Sequence, residues 1–432
     1  RDSIEKDQKI VDFTSAKYQY LPKQIFSLPQ KAGAVNIITG PRQTGKSTAI
    51  KLLIRQLLSK KTNPYSLFFY NCDILSNKQE VIDICRAFLD IKPSGLSFIF
   101  LDEISSVENW PYAIKWLADT NLLKDSILYL TGSSTINLKK SAEMMPGRRG
   151  GGKDTILLPL SFSDVLTLKR VAIEKIAFTD KNVIGKSKHA ILQWPSLNRY
   201  YNEFLTWGGI LRLINSPDKE SINNELFLES FRSTILKSGK KEDNLKAVLD
   251  KIIRSLGSQT SYVNIAEEAE LGSKNTAADY LEFLRDTFFL SEAKFFDIPS
   301  QRLILKKNKK FYTTDPYFLW LFYGYLSSSP VFLPFIGLYQ KEKGPLVENF
   351  IASELYKQNL EFHFYQGKRE LDFYIPRLSC GIEVKYKQKI TSDDLKPLID
   401  VKRKILVSQN TLAIKDGILI IPAYLFSLLK FD

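Results

Sequence analysis

One glycine-rich segment constrains the fold of this 432-residue chain more than any other part of it. It reads Gly40-Pro41-Arg42-Gln43-Thr44-Gly45-Lys46-Ser47. An apolar run, Val35–Thr39, precedes it and an amphipathic stretch, Ser47–Leu58, follows, which predicts a loop between a strand and a helix. Glycines permit a tight turn whose backbone N–H groups surround phosphate oxygens, and the positive end of the helix favours an anion. The segment therefore predicts a nucleotide-phosphate site.

An acidic pair at the end of another apolar run supports this prediction, in the sequence Phe98-Ile99-Phe100-Leu101-Asp102-Glu103. In open α/β sheets, ligands bind at the carboxyl ends of the strands. We expect Lys46 to contact the β- and γ-phosphates of ATP, Ser47 and Asp102 to hold Mg²⁺, and Glu103 to polarise the attacking water. The predicted nucleotide contacts are Gly40, Pro41, Arg42, Gln43, Thr44, Gly45, Lys46, Ser47 and Thr48.

Two features near this site have more than one interpretation. Thr131, Ser133 and Ser134 follow the next apolar run, where one of them could sense the γ-phosphate or all could form a polar turn. Arg148 follows Gly147 in a glycine-rich loop. It could stabilise transition-state charge in a neighbouring subunit, or it could lie on a basic surface loop.

The order of apolar runs and helical stretches predicts an α/β fold built on the parallel sheet of a P-loop NTPase. Beyond residue 162 the pattern becomes mostly helical, and a second α/β region begins near residue 315. The predicted division is an N-terminal extension (1–30), a P-loop ATPase domain (31–162), a helical lid (163–243), a winged helix (244–314) and a C-terminal α/β domain (315–432).

The segment 244–314 has the element order of a winged helix, with three helices followed by a β-ribbon whose turn is predicted at Asn308. Phosphate contacts from this segment would give salt-sensitive, weakly sequence-dependent DNA binding. Alternatively, the segment packs between its neighbours and its lysines are merely exposed. The candidate DNA contacts are Lys274, Asn275, Arg285, Lys306, Lys307, Lys309 and Lys310.

Charge and cysteine content narrow the partners and the compartment. The formal net charge of +14 favours a polyanionic partner, with nucleic acid ahead of a membrane, although a generally lysine-rich surface is the alternative. Three scattered cysteines are too few for a disulfide framework or a zinc site, so we expect a reduced, cytoplasmic compartment. The aromatic run 317–325 is too short to span a bilayer and is interpreted as core.

Carboxylates near the C-terminus predict a second metal site. Asp372 lies in one alternating apolar run, and Glu383 and Lys385 lie two apart in the next, so these two would share a face of a strand. Asp372 and Glu383 could hold Mg²⁺ through oxygen ligands, with Glu348 on the preceding helix as a further ligand. Lys385 could orient or activate water.

Taken together, these residues resemble those of the prokaryotic, often archaeal, AAA-type ATPases whose C-terminal region is related to the PD-(D/E)XK nucleases. The resemblance implies a P-loop domain, a helical lid, a winged helix and a nuclease-like terminus, with or without cleavage activity. Beyond the motifs above, it rests on Leu130-Thr131-Gly132-Ser133-Ser134, Gly147-Arg148, Pro159-Leu160-Ser161-Phe162, Gly208-Gly209, Lys310-Phe311-Tyr312, Asp315-Pro316 and Glu348-Asn349.

The chain departs from the family pattern in three places. Ile210 and Leu211 follow the glycine pair, where a proline is usual. Arg148 is followed by a second arginine and three glycines. The position after the fourth strand, commonly asparagine in the wider class, holds threonine or serine.

Two functions fit the sequence. The first is a Mg²⁺-dependent ATPase that binds or remodels DNA, with a homo-oligomeric state and metal-dependent cleavage by the C-terminal domain as added possibilities. The second is an ATP-gated regulatory switch whose C-terminal region binds a protein partner, or binds DNA without cutting it.

Overall fold

The computed structural model describes residues 2–133, 147–216, 224–328, 343–398 and 401–431. The chain divides into two compact units, one of residues 1–158 with 286–288 and the other of residues 159–285 with 289–432. In chain order the helices are α1 Asp2–Glu5, α2 Gln8–Ser15, α3 Lys23–Phe26, α4 Lys46–Ser59, α5 Lys78–Ile91, α6 Trp110–Asp119, α7 Phe162–Leu168, α8 Val183–Gln193, α9 Leu197–Trp207, α10 Leu211–Asn215, α11 Glu225–Ser238, α12 Glu242–Arg254, α13 Tyr262–Glu268, α14 Lys274–Asp286, α15 Pro316–Ser327, α16 Gly344–Lys357, α17 Ser392–Leu395 and α18 Ala423–Phe426. The strands are β1 Val35–Thr39, β2 Leu67–Asn71, β3 Ser97–Asp102, β4 Ser126–Gly132, β5 Asp154–Ile156, β6 Ile176–Ala177, β7 Leu290–Lys294, β8 Phe296–Asp297, β9 Arg302–Leu303, β10 Lys309–Thr313, β11 His363–Gln366, β12 Glu370–Ile375, β13 Cys380–Lys385, β14 Arg403–Ser408, β15 Ala413–Lys415, β16 Ile418–Pro422 and β17 Leu429–Lys430.

A five-stranded parallel sheet forms the centre of the first unit, in the order β2-β3-β4-β1-β5. Strands β1, β3 and β4 are buried along their whole length, as expected when helices cover both faces of a parallel sheet. This confirms the predicted α/β fold class. Because β4 lies between β1 and β3, Thr131 at its end stands between the loop that follows β1 and the acids that end β3.

The glycines after Arg149 have a packing explanation. A Cβ atom on Gly150 would lie 2.2 Å from the carbonyl oxygen of Gly33, and one on Gly152 would lie 2.1 Å from that of Val35. The chain therefore passes too close to the start of β1 for any larger side chain. Arg149 holds this part of the chain against β1, because its Nη2 donates to the Val35 carbonyl at 3.2 Å.

Three helices, α12 to α14, precede an antiparallel ribbon of β7 and β10 in the second unit, which is the predicted element order. The predicted turn at Asn308 is wrong. The chain reverses between β8 and β9, where Gln301 adopts a left-handed backbone with φ of 53°. Asn308 instead directly precedes β10, because the short β8–β9 ladder takes up the reversal earlier in the chain.

The C-terminal sheet has six strands in the order β11-β12-β13-β14-β16-β15. Strands β13, β14 and β16 are parallel, and β11, β12 and β15 join antiparallel. Helix α15 is buried along most of its length, which confirms that the aromatic run 317–325 is core. Within the described residues, no helix combines the length and apolar character that crossing a bilayer requires.

A buried polar network joins several of the sequence motifs named above in the second unit. The Oδ1 of Asp315 accepts the Tyr317 N–H at 3.0 Å, and its Oδ2 accepts the Gly209 N–H at 2.9 Å and the Lys357 ammonium at 2.7 Å. A Cβ atom on Gly208, whose φ is 60°, would lie 1.7 Å from Asp315 Oδ1. Glycine is therefore required at residue 208, because any side chain there would overlap the Asp315 carboxylate.

Helix α16 contributes the other polar side chains of this network. The amide of Asn349 accepts the Thr313 N–H at 2.7 Å and donates to the Thr313 hydroxyl at 2.8 Å. The Oε1 of Glu354 accepts the N–H of Phe162, the first residue of α7, at 3.0 Å. Motifs far apart in the sequence thus meet at α16.

Candidate functional site

The phosphate loop has the predicted strand–loop–helix setting, with β1 ending at Thr39 and α4 beginning at Lys46. Gly40, Gln43 and Gly45 all have positive φ, of 145°, 66° and 89°. A Cβ atom on Gly40 would lie 2.1 Å from the Leu157 carbonyl oxygen, so this position requires glycine. The loop is thereby held in a tight arc at the N-terminal end of α4.

Lys46 is buried, with only 4% of its surface exposed. Its Nζ donates to the carbonyls of Gly40 and Pro41, both at 2.9 Å, and lies 4.0 Å from Glu103 Oε1. Burial lowers the pKa of Lys46, and the charges of Glu103 and Asp102 oppose that shift. An ammonium has three N–H donors, so the two bonds to the loop leave one for an anionic oxygen.

Thr131 joins the two acids of the site. Its hydroxyl donates to Asp102 Oδ1 at 2.5 Å and accepts the backbone N–H of Glu103 at 2.8 Å. Glu103 has a left-handed φ of 53°, which is strained for a residue with a side chain. Because the Thr131 proton is used for Asp102, we assign Thr131 to positioning the acid pair, a role that the sequence did not reveal.

The other residues predicted to contact nucleotide lie on the loop and the first turn of α4. Ser47 and Thr48 are half-buried in that turn, and the Thr44 hydroxyl donates to the Pro41 carbonyl at 2.8 Å. Ser47 and Asp102 offer a hydroxyl and a carboxylate, which are the oxygen donors that Mg²⁺ prefers. The residues present therefore fit a Mg²⁺ ion. Ser134 lies outside the described residues.

The two arginines after Gly147 have different partners. Arg148 forms an ion pair with Asp119, the last residue of α6, and about a third of its side chain is exposed. Arg149 pairs with Asp154 at the start of β5 and with the backbone of β1. Arg149 is therefore a structural residue, and Arg148 is the one left near the surface.

In the second unit, Asp372 and Glu383 lie on the neighbouring strands β12 and β13, as the sequence predicts. The Asp372 Oδ2 accepts the Val384 N–H at 2.9 Å, and the Glu383 Oε2 accepts the Asp372 N–H at 3.3 Å. Lys385 pairs with Glu383 Oε1 at 2.5 Å. Backbone N–H groups and a lysine thus donate hydrogen bonds to most of the oxygens of these two carboxylates.

Lys310 is placed differently from the prediction. Instead of lying on an exposed ribbon, it is fully buried, and its ammonium lies 3.0 Å from Glu348, 2.5 Å from Glu370 and 3.1 Å from Asp372. Among the residues described, no group of three or more acidic, histidine or cysteine side chains could hold a metal ion. The predicted Mg²⁺ set of Glu348, Asp372 and Glu383 is therefore not assembled, because the Lys310 ammonium lies among the carboxylates.

Burial perturbs the acids of this centre. It raises the pKa of Glu383 to about 8 and that of Glu348 to about 7, and the charge of Asp372 adds to both shifts. Lys385 opposes the shift at Glu383, and Lys310 opposes it at Glu348. Even with two lysines nearby, the loss of hydration dominates.

The predicted DNA contacts divide into three groups. Lys274, Asn275, Lys306 and Lys307 are exposed. Arg285 is paired with Glu292, and the Lys309 ammonium donates to the carbonyls of Leu305 and Lys307 at 3.0 and 2.9 Å. Lys310 is buried, as described above, so four of the seven side chains are presented to solvent.

Fold and site together define a P-loop nucleotide-binding protein. In agreement with this class, residues 32–166 match a family model described as an AAA domain. Residues 343–426 match a second family model, described as a domain of unknown function, DUF4143. The two matches cover different parts of the chain, and the second carries no activity in its description.

The chain is similar to an uncharacterized protein of Methanocaldococcus jannaschii, with 24% identity over 82% of this chain and 74% of that protein. Solved structures that are similar include the Aeropyrum pernix ORC2 protein in its ADPNP and ADP complexes, with 12% identity, a TM-score of 0.36, and 68% of this chain and 88% of that chain covered. Another is the Thermotoga maritima RuvB protein, with 16% identity, a TM-score of 0.27, and coverage of 67% and 89%. At these TM-scores the likeness adds nothing to the assignment.

Proposed function

We propose that this chain is a Mg²⁺-dependent ATPase that acts on nucleic acid. One observation carries the ATPase part: Thr131 holds Asp102 and Glu103 together, with Glu103 4.0 Å from the Lys46 ammonium. A P-loop alone binds nucleotide, whereas a positioned acid beside it can also orient water for hydrolysis. The AAA-domain match over residues 32–166 supports the same activity.

Each group of the site has a distinct task in this proposal. Lys46 and the N–H groups of the loop bind the phosphates and stabilise negative charge on them. Ser47 and Asp102 hold Mg²⁺, which when bound neutralises charge that develops on the phosphate oxygens. Glu103 accepts a hydrogen bond from the attacking water, and Thr131 keeps Glu103 and Asp102 in register.

The nucleic-acid part rests on exposed charge in the second unit. Lys306 and Lys307 lie just before β10, and Lys274 and Asn275 begin α14, all of them exposed. The order of three helices and a ribbon is typical of a winged helix, in which such positions face DNA. The net charge of +14 favours the same partner.

The test is the ATPase rate with and without single-stranded, duplex and branched DNA, over a range of salt concentration. We expect DNA to raise the rate and salt to reduce that stimulation, because phosphate contacts release counterions. The double variant Lys306→Ala/Lys307→Ala should lose most of the stimulation. Lys181→Ala/Lys188→Ala removes the same charge from exposed positions of α8 and the residues before it, and should keep the stimulation.

Variants of the ATP site separate the two parts of the proposal. Lys46→Ala should abolish ATP binding, and Glu103→Gln should keep binding but lose hydrolysis. Unchanged ATP affinity in Lys46→Ala would contradict the ATP site. Equal rates with and without DNA at every salt concentration would contradict the nucleic-acid part. That result, together with slow turnover, would favour an ATP-gated switch that binds a protein partner.

The proposal includes the finer domain division, with a helical lid at 163–243, a winged helix at 244–314 and a nuclease-like domain at 315–432. It also includes a cytoplasmic location, since the three cysteines are buried free thiols, and a homo-oligomer in which Arg148 reaches a neighbouring site.

We do not extend the proposal to DNA cleavage, because Lys310 lies among the acids that would bind metal. Mg²⁺-dependent nicking that is lost in Glu383→Ala would contradict that restriction.

A further inference from the structure

The acidic centre of the second unit contains its own cation. The Lys310 side chain has no exposed surface, and its ammonium contacts three carboxylates, Glu348 at 3.0 Å, Glu370 at 2.5 Å and Asp372 at 3.1 Å. Two of the three acids are themselves largely buried. A fully buried ammonium is stable only when anions and acceptors surround it, and here three anions do so.

Most carboxylate oxygens around Lys310 have partners within the protein. Glu348 Oε1 accepts both the Lys310 ammonium and the Tyr312 hydroxyl, the latter at 2.6 Å. Asp372 shares its two oxygens between Lys310 and the Val384 N–H. On the third acid, Glu370, Lys310 holds one oxygen and the Gln259 amide holds the other.

The remaining oxygen of Glu348 lies near a glycine. A Cβ atom on Gly257 would lie 2.8 Å from Glu348 Oε2, so residue 257 lies near that oxygen and any larger side chain there would crowd it. A divalent ion bound by oxygens needs several of them within roughly 2.0–2.6 Å. An ion bound by these oxygens would lie close to the Lys310 ammonium, whose positive charge opposes its binding.

We propose that Lys310 is the resident cation of this acidic centre, standing in place of a divalent metal ion and fixing strand β10 to helix α16 and strand β12. In the native chain the centre then takes no divalent ion. Removing the ammonium leaves an uncompensated group of buried carboxylates. That group binds a divalent cation, because carboxylate oxygens are the ligands that Mg²⁺ and Mn²⁺ prefer.

The experiment is a Mn²⁺ titration of the nucleotide-free full-length chain, followed by electron paramagnetic resonance. The native chain should show no saturable site that Asp372→Asn removes, and Lys310→Ala should gain one. Lys309→Ala, which loses the same charge from the adjacent position of β10, should behave like the native chain. The double variant Lys310→Ala/Asp372→Asn should lose the gained site, which locates it at this centre.

A thermal measurement gives an independent readout. Lys310→Ala should unfold at a lower temperature than the native chain, and millimolar Mg²⁺ should restore its Tm by about 3 °C or more, since an ion that binds only the folded state stabilises it. Mg²⁺ should raise the Tm of Lys310→Ala by clearly more than it raises the Tm of the native chain. A purely structural lysine would give the loss of stability without the rescue.

Two results would overturn the proposal. One is a saturable Mn²⁺ site in the native chain that Asp372→Asn removes, since the centre would then hold metal despite Lys310. The other is a folded Lys310→Ala variant that neither binds Mn²⁺ nor gains stability from Mg²⁺. If Lys310→Ala does not fold, the native titration with its Asp372→Asn control still decides the first point. Lys310→Met, which keeps most of the side-chain volume, decides the second.

Discussion

The buried carboxyl of Glu354 predicts that the second unit loses stability as pH rises. Glu354 has no exposed surface, and its Oε1 accepts the Phe162 N–H at 3.0 Å. Its Oε2 has no hydrogen-bond partner among the described residues. Burial raises the pKa of Glu354 to about 7, against the opposing effects of Lys357 and the Phe162 N–H.

The sign and size of the effect follow from the two pKa values of this group. The ordinary value is 4.5 and the folded value is about 7, so the folded state holds the proton more tightly. The favourable contribution is therefore fully present below about pH 4.5 and is lost as pH rises through about 7. A difference of about 2.5 pKa units corresponds to on the order of 3 kcal/mol in the free energy of unfolding.

The assay is urea denaturation of the native chain and of Glu354→Gln at several pH values from 5 to 9. Glutamine has nearly the same shape but no charge at any pH, so the variant should become the more stable of the two as pH rises. The difference between the two proteins is the quantity to read, because burial also raises the pKa values of Glu348 and Glu383.

A control variant and a refuting outcome complete this test. Glu174→Gln removes an exposed carboxylate from the same unit and should leave the pH profile unchanged. Parallel profiles for the native chain and Glu354→Gln over the whole range would show that Glu354 is ionised in the folded protein. The reasoning from burial would then be wrong.

Two further predictions concern the ATP site and the polar network. Thr131→Val should keep ATP binding but lower kcat by roughly 10- to 100-fold, because Asp102 loses a hydrogen bond of about 1–3 kcal/mol; Thr131→Ser should retain most of the rate, and an unchanged kcat in Thr131→Val would contradict the positioning role. Gly209→Ala should destabilise the chain by about 3 kcal/mol or more, because its Cβ would lie 1.8 Å from the Leu160 carbonyl oxygen. Gly272→Ala, with nothing within 4 Å of the added atom, should be close to neutral in the same urea assay, and similar losses in both variants would contradict the steric argument.

The sequence predicted the regular secondary structure well, because the residues that determine it are close together in the chain. Strand β1 begins and ends where the apolar run does, and Asp372, Glu383 and Lys385 lie on two strands as predicted. The loop after β1 is recognisable because only glycine permits its backbone angles. The acid pair that ends β3 was predicted for the same kind of reason, since it follows a continuous apolar run.

The roles of Thr131 and Lys310 depended on contacts that the sequence does not display. Thr131 lies between the loop and the acid pair only because β4 separates β1 from β3 in the sheet. Lys310 is the last residue of the basic segment 306–310. Its partners Glu348 and Asp372 lie 38 and 62 positions further along the chain. One usable indication was the alternation on a strand, which places Lys310 and Tyr312 on one face and Phe311 on the other.

Two elements, β10 and α16, share several buried polar contacts in the second unit. Strand β10 contributes Lys310, Tyr312 and Thr313, and α16 contributes their partners Glu348 and Asn349. Separating the two elements would leave buried charges without partners, and breaking a buried ion pair costs about 3–5 kcal/mol. The ribbon of β7 and β10 should therefore move together with α16 and the C-terminal sheet. Any conformational change within the second unit must take place away from this contact.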